Sequence, residues 1–381
     1  MKNIGMVFVV AILAAALATL SAPGAALART TLVALPERGA TIINLANPQA
    51  ALIEEERVLT LQAGINKVDF SWKGVRIDPD SIRLAPLSHP ADVSLLSVSY
   101  PPGESTLVWD IGSREAFEEK VRISYLLSGI DRLIAYKLSA DREEKTVDFK
   151  SFLILRNFSG ENFDRVRVRL DHGRDFDLGL GHEETKQLLF LTPGRVPLAK
   201  VWTFDAALEP WDPELEIENI GIPVSYEVAN VEASGLGGFV LDPGKTRVFQ
   251  DDGAETSIFL GEDQAGKALV GEKMKVGIGR SRDIVITQRK TSERKVNVRR
   301  NKNNDVVLFD LEEGITAKIE NFKKQPAVLT MIQHIPGEWD MVECNLKYEK
   351  KDAETLEFKV DLPAGGRQAL TMRYIRRNIR P

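Results

Sequence analysis

The chain has 381 residues, a formal net charge of -5 at neutral pH, 43% hydrophobic and 28% charged residues. That composition fits a globular protein with room for two or three cores, and its mild acidity gives no field to attract nucleic acid, so no nucleic-acid partner is expected. The single cysteine, Cys344, excludes an intrachain disulfide, so packing must supply the stability. The first residues read as an export signal. Lys2 precedes the apolar run VFVVAILAAALATL, Pro23 and Gly24 break it, and Ala26, Leu27 and Ala28 form an A-x-A site. The run is shorter than the roughly 20 residues that span a bilayer. Cleavage after Ala28 and a periplasmic or secreted mature chain are therefore expected.

From Arg29 onward the pattern is of strands. TIINLANPQAALIEEERVLTLQAGINKVDF holds two strand-like runs joined at Ala63 and Gly64, and IDPDSIRLAPL and VSLLSVSY add short ones. Pro101, Pro102 and Gly103 mark a turn and a first domain boundary. STLVWDI, VRISYLL, LIAYKLSA and VDFKSFLILRN follow; SREAFEEKV, with Ser113 as a candidate cap, reads as a loop entering a strand rather than a helix. In RVRVRLD, Val166, Val168 and Leu170 face one way and Arg165, Arg167 and Arg169 the other, a period of two that decides for strand. HEETKQLLFL suits a short helix or a strand. Glu209, Pro210, Trp211, Asp212 and Pro213 break the pattern and mark a second boundary. Beyond it, VSYEVANV, SGLGG, GGFVLDPGKTRVF, QDDGAE and SIFLGED alternate apolar runs with turn clusters. Further strands continue to the end, among them LEFKVDL, with Leu356, Phe358, Val360 and Leu362 on one face.

Strands spaced by turns, without alternating helices, predict an all-β fold. The expected form is two or three antiparallel β-sandwich (Ig-like) domains in tandem, with little helix apart from the signal. The expected division is a signal peptide at 1–28, an N-terminal β domain at 29–105, a middle β domain at 106–209 and a C-terminal β-sandwich at 210–381.

The run GLGGFVLDPGKTRVFQDDG, then FLGED, then GEKMKVGIGRSRDIVITQRK, carries a resemblance, which SYLLSGIDRLIAYKL and LRNFSGENFDRVRVRLDHG extend upstream. It resembles the C-terminal part of bacterial mucoidy-inhibitor-A-like proteins, whose shared domain is the domain of unknown function 4139. Where relatives tend to place a tryptophan, this chain has Ile130, Asp131, Arg132 and Leu133. The resemblance covers about the last two-thirds of the chain. It implies an all-β envelope protein, brings no catalytic residues, and points by name alone toward capsule or exopolysaccharide regulation.

Few constellations carry chemistry. His89, His172, His182 and His334 are far apart, without zinc-ligand spacing, and no metal or cofactor is expected. Asp171, Asp175 and Asp177 in DHGRDFDLGLGH read as a solvated turn rather than a calcium loop. The G-I-G-R-S-R of Gly277 to Arg282 reads as a bulge or tight bend, not a phosphate cradle. No nucleophile elbow occurs, and Cys344 in MVECNLKY reads as inert. Trp72, Trp109, Trp202, Trp211 and Trp339 could stack on sugars but read as sandwich-core or interface anchors. One charge anomaly stands out: Arg289, Lys290, Arg294, Lys295, Arg299, Arg300 and Lys302 share a run with a single acid, Glu293. It reads either as a protected sheet edge or as a patch for an anionic envelope polymer or envelope protein. If part of it is a strand, Lys295, Asn297 and Arg299 form one face. The function expected is non-enzymatic binding, scaffolding or surface assembly at the envelope; the competing class is an enzyme acting on cell-wall or surface polysaccharide. The first prediction concerns export: N-terminal sequencing of the exported protein should start at Arg29, whereas an intact Met1 would mean a membrane anchor.

Overall fold

The computed structural model describes residues 30–381, apart from 48–49, 172–174, 210–220 and 255. The signal segment, the Ala28 site, His172 and Trp211 therefore lie outside the described residues. The described chain is strand almost throughout, with only two short 3-10 turns, and no helix in it is long and apolar enough to cross a membrane.

In chain order the strands are β1 (Thr30–Val33), β2 (Thr41–Asn44), β3 (Ala51–Leu61), β4 (Gly64–Ser71), β5 (Arg83–Pro86), β6 (Val93–Ser99), β7 (Thr106–Ser113) and β8 (Phe117–Leu127). Next come β9 (Ile130–Ala140), β10 (Thr146–Asn157), β11 (Phe163–Arg169), β12 (Asp175–Leu180), β13 (Thr185–Pro197) and β14 (Ala199–Asp205). The remainder are β15 (Ile222–Ala229), β16 (Gly244–Asp251), β17 (Ser257–Ala265), β18 (Lys273–Ser281), β19 (Ile284–Arg300), β20 (Val306–Asn321), β21 (Ala327–His334), β22 (Trp339–Cys344), β23 (Glu349–Lys350), β24 (Thr355–Leu362) and β25 (Arg367–Ile379). SREAFEEKV enters β8 without a helix, and HEETKQLLFL runs into β13.

Two compact units form. The first takes the chain up to Ser128 together with Ser159–Gly179; the second takes Gly129–Phe158 and Leu180–Pro381. The first unit holds a four-stranded sheet, β1-β4-β7-β6, and a six-stranded one, β12-β11-β2-β3-β8-β5. Alternation explains its core: Val68 and Phe70 of β4, Leu107 and Trp109 of β7, and Val121, Ile123 and Tyr125 of β8 are all buried. Phe70 joins the two sheets, with ring centroids 5.7 Å from Trp109 and 5.8 Å from Tyr125. In β11, Val166 and Val168 are buried and Arg165, Arg167 and Arg169 exposed, as the period of two predicts.

The second unit holds three sheets: β13-β10-β9-β16-β17, β18-β15-β14-β21-β24-β23 and β19-β20-β25-β22. One core gathers Tyr136, Leu138, Phe149, Tyr226 and Val276 from the first two sheets. Another gathers Trp202, Phe204, Ile286, Ile319, Met331, Phe358 and Met372 from the last two. β15 serves both: Ile222 and Val224 enter one core, Tyr226 and Val228 the other.

Two expectations need correction. The sheets are mixed, not purely antiparallel. β1 runs parallel to β4, β11 to β2, β16 to β9 and β14 to β21. A tight hairpin forces antiparallel neighbours, but a strand returning after a long excursion is free of that constraint. The expected boundary near 105 also falls inside a sheet: Pro101–Gly103 joins β6 to β7, which are hydrogen-bonded partners. Likewise β14 and β15, on either side of residue 209, pair antiparallel.

The stretch between β15 and β16 shows why its glycines are where they are. Gly237 has φ +84°, and a Cβ there would lie 2.4 Å from the Glu232 nitrogen. A Cβ on Gly244 would lie 2.5 Å from the Ile134 carbonyl oxygen, where β16 meets β9. Fully buried Asn230 locks the loop. Its Nδ2 donates to the carbonyls of Phe239, Ala268 and Leu269, and its Oδ1 accepts from Gly237 N–H. Asn230→Ala should therefore lower stability by about 2–3 kcal/mol, because buried carbonyls lose their donor. Urea unfolding measures this; a loss below about 0.5 kcal/mol, the range of neutral surface changes, would show that the turns hold the loop unaided.

Candidate functional site

The basic run lies on β19, an edge strand of its sheet, and on the turn after it. The register of β19 against β20 decides what each cation meets. Arg294 pairs with Glu312, and their side chains form an ion pair at 2.6 Å. Arg373 of β25 reaches Glu312 at 3.2 Å and Glu343 of β22 at 3.2 Å. A ladder of alternating charge thus crosses the outer face of four strands. Lys290 lies 2.5 Å from Glu293 and 3.8 Å from Glu313. Exposed Arg289 sits opposite Thr316. In the proximal half of the run, Lys290 and Arg294 are therefore paired with acids of β19 and β20.

The distal half differs. Lys295 places its ammonium 4.6 Å from the centroid of the Phe309 ring. The alternation then breaks, and this corrects the expected face of Lys295, Asn297 and Arg299. Val296 pairs with Asp310 and Arg299 with Leu308, leaving two residues of β19 opposite one of β20. Asn297 takes φ +52° at this bulge, a conformation asparagine tolerates, and its Nδ2 donates to Asp310 at 2.8 Å. Beyond the bulge, Arg300 donates to the Asn304 carbonyl at 2.8 Å, and Arg299 and Lys302 have no acid partner among the described residues. Asn301 organises the tip: its Oδ1 accepts from the N–H groups of Asn303 and Asp305, and its Nδ2 donates to the Asp305 carboxylate. Three cations thus stand at an ordered, exposed hairpin end, with exposed Val298 and Val307 nearby.

Electrostatics follows from these contacts. The Arg294 guanidinium, then Arg373, holds the Glu312 carboxyl below its usual range. The Asn297 amide, the Asn378 N–H and Arg377 do the same for Asp310. The matching of DLEEG against RKTSERKVN was the signal that sequence reasoning missed. The NKNND turn sets a hairpin register, and that register places Arg294 opposite Glu312.

The other candidates resolve into structure. Asp175 pairs with Arg169 at 3.2 Å and Asp177 with Arg167 at 2.9 Å, so arginines occupy these carboxylates. Val224 pairs with Gly279 and Ser225 with Gly277, so Ile278 is the extra residue of a bulge, with Gly279 at φ +119°. The Cys344 thiol donates to the Leu346 carbonyl, and burial pushes its pKa up, away from thiolate. Trp72, Trp109, Trp202 and Trp339 are buried. His89 meets Glu119 at 3.0 Å and His334 meets Asp205 at 2.9 Å.

The first unit carries a groove of about 1440 Å³ lined by Arg38, Arg57, Arg165 and Arg167. Behind it the fully buried Glu55 binds Arg38 at 2.6 Å and Arg57 at 2.8 Å. The buried Tyr125 hydroxyl has no hydrogen-bond partner among the described residues, and burial, with the Glu55 charge, pushes its pKa up. Two arginines here serve a buried carboxylate and a third serves Asp177, so the groove is less basic than its residue types suggest.

No protein-family model matches the chain, and no curated protein matches it closely enough to count as a relative.

The charge ladder makes a pH prediction. Glu312 is a carboxylate with a depressed folded pKa, so its contribution is present above the unfolded value of about 4 and fades as pH falls through the folded one. Arg294→Gln should destabilise the protein at pH 7, and its melting point should converge with the parent's toward pH 3. Equal melting points at pH 7 would show that the pair contributes nothing.

Proposed function

We propose that the chain is an exported, non-enzymatic envelope protein of binding or scaffolding type. In this reading it is related to the mucoidy-inhibitor-A-like proteins, is built of Ig-like β-sandwiches in tandem, and touches an anionic envelope polymer through the β19–β20 hairpin tip. The observation that carries the reading is the split of the basic run. Cations that meet acids of β20 stabilise the ladder, while Arg299, Arg300 and Lys302 project from a turn held by Asn301. A short, ordered, cationic tip suits an extended polyanion, because each repeat of the polymer presents a charge without demanding a deep cleft. The resemblance of the central stretch and the signal-like first residues support the envelope setting.

Exposed contacts of this kind weaken with salt, since the Debye length is about 8 Å at physiological ionic strength. Replacing Arg299, Arg300 and Lys302 together by Glu should weaken binding to isolated envelope material about tenfold, equivalent to about 1.4 kcal/mol. The effect should shrink as salt rises, and Arg294→Gln should bind like the parent. If the folded triple variant binds as well as the parent, the run is only a protected edge.

A further inference from the structure

A second concave site lies in the second unit, away from the hairpin residues. It has a volume of about 620 Å³, within the range of small-ligand pockets. Its walls come from β14, from the turn between β20 and β21, and from the end of β24. Trp202 is 5% exposed in this wall, and its buried indole N–H has no acceptor among the described residues. Two lysines flank its ring, Lys323 at 5.1 Å and Lys200 at 5.7 Å from the centroid.

The two lysines are not equivalent. Lys200 is taken by Glu144, whose carboxylate oxygens lie 2.6 and 2.8 Å from the ammonium. Glu144 also accepts from the Tyr226 hydroxyl and sits at φ +55° in the turn between β9 and β10. That backbone conformation is unfavourable for a non-glycine residue, and the side chain placed there removes Lys200 from competition. Lys323 has no carboxylate partner among the described residues. Asp361, on the same pocket, has no cation partner among them either. The pocket therefore presents one unspent positive and one unspent negative charge, with apolar surface from Trp202, Pro326 and Val328.

The backbone segments that carry the two charged residues are joined by one buried group. The Nδ2 of Asn321 donates to the carbonyls of Gln325, Leu362 and Pro363, and its Oδ1 accepts from Lys323 N–H. It thereby ties the turn that carries Lys323 to the strand end that carries Asp361. The backbone of the site is therefore held together before a ligand arrives, which lowers the ordering cost of binding.

We propose that this pocket binds a small zwitterion of dipeptide size with an apolar side chain. Its carboxylate would meet Lys323, its ammonium Asp361, and its side chain the Trp202, Pro326 and Val328 wall. A ligand with only one charge would leave the other pocket charge without a partner. This site stands independently of the hairpin proposal.

The test is calorimetric titration of the whole mature protein with leucyl-leucine, N-acetyl-leucyl-leucine, leucyl-leucinamide and galacturonate. The free dipeptide should bind. Acetylation or amidation should each weaken it at least tenfold. Lys323→Met and Asp361→Asn should each do the same while the melting temperature stays within a few degrees of the parent's. The proposal is overturned by no binding of the free dipeptide up to about 10 mM, weaker than about 3 kcal/mol, or by binding indifferent to acetylation and amidation. Galacturonate binding that depends on Lys323 but not on Asp361 also overturns it, since that pattern marks a simple anion site.

Discussion

Four buried asparagines hold the connections of this β protein, and the rest of its architecture depends on them. Asn66 donates to the carbonyls of Gln62 and Ile111, and Asn157 to those of Leu180 and Gly181. Asn230 and Asn321 each serve three carbonyls. None is more than 1% exposed. A strand satisfies its backbone through its neighbours, but a corner between sheets leaves carbonyls buried without partners, at a cost of about 1–3 kcal/mol each. An amide supplies two donors and an acceptor in one compact group, with no charge to desolvate. With one cysteine in the chain, no intrachain disulfide can close these corners, and the amides close them instead. At Asn321 the same clamp that closes a corner also positions two charged residues.

Charge is handled by a second rule within each unit. Exposed faces carry ladders of opposite charge rather than patches: Arg167 with Asp177 and Arg169 with Asp175 in the first unit, Arg294, Glu312, Arg373 and Glu343 in the second. Each exposed pair contributes only about 0–1 kcal/mol, yet together they favour one register over a slip, which would set like charges opposite one another. The edges are treated unequally. β19 carries its cations along an edge, whereas β6 has no charge and exposes Leu95, Leu96 and Val98, with a register shift between Leu95 and Ser97. A bulge at an edge discourages pairing with another chain.

These rules change how the basic run reads. Seven cations in a short stretch suggest one continuous ridge, but the fold divides them. Lys290 and Arg294 meet acids, Lys295 rests on Phe309, exposed Arg289 lies opposite Thr316, and Arg299, Arg300 and Lys302 stand at a turn that Asn301 orders. The bulge at Asn297 makes the division, because it ends the alternation that would have put Lys295 and Arg299 on one face. The same reasoning separates Lys200 from Lys323: a glutamate in an unfavourable backbone conformation neutralises one and leaves the other.

The all-β character was legible in the sequence, down to the faces of RVRVRLD and LEFKVDL and the bulge at Gly277 to Gly279. So was the burial of the described tryptophans. These are local matters: side-chain alternation and glycine conformation are set within a few residues. What the sequence did not disclose were the parallel neighbours, the grouping of Gly129–Phe158 with the chain after Leu180, the acids facing the basic run, and the pocket between Lys323 and Asp361. Most of these depend on which strand lies beside which after excursions of tens of residues or more; the acids facing the basic run depend instead on the register of one hairpin, which the turn after Arg300 and the bulge at Asn297 set together. Loop closure costs grow only slowly with length, so distance along the chain does little to rank the alternatives. Packing of the sheets and satisfaction of buried backbone groups make the choice, and both exist only in the folded protein.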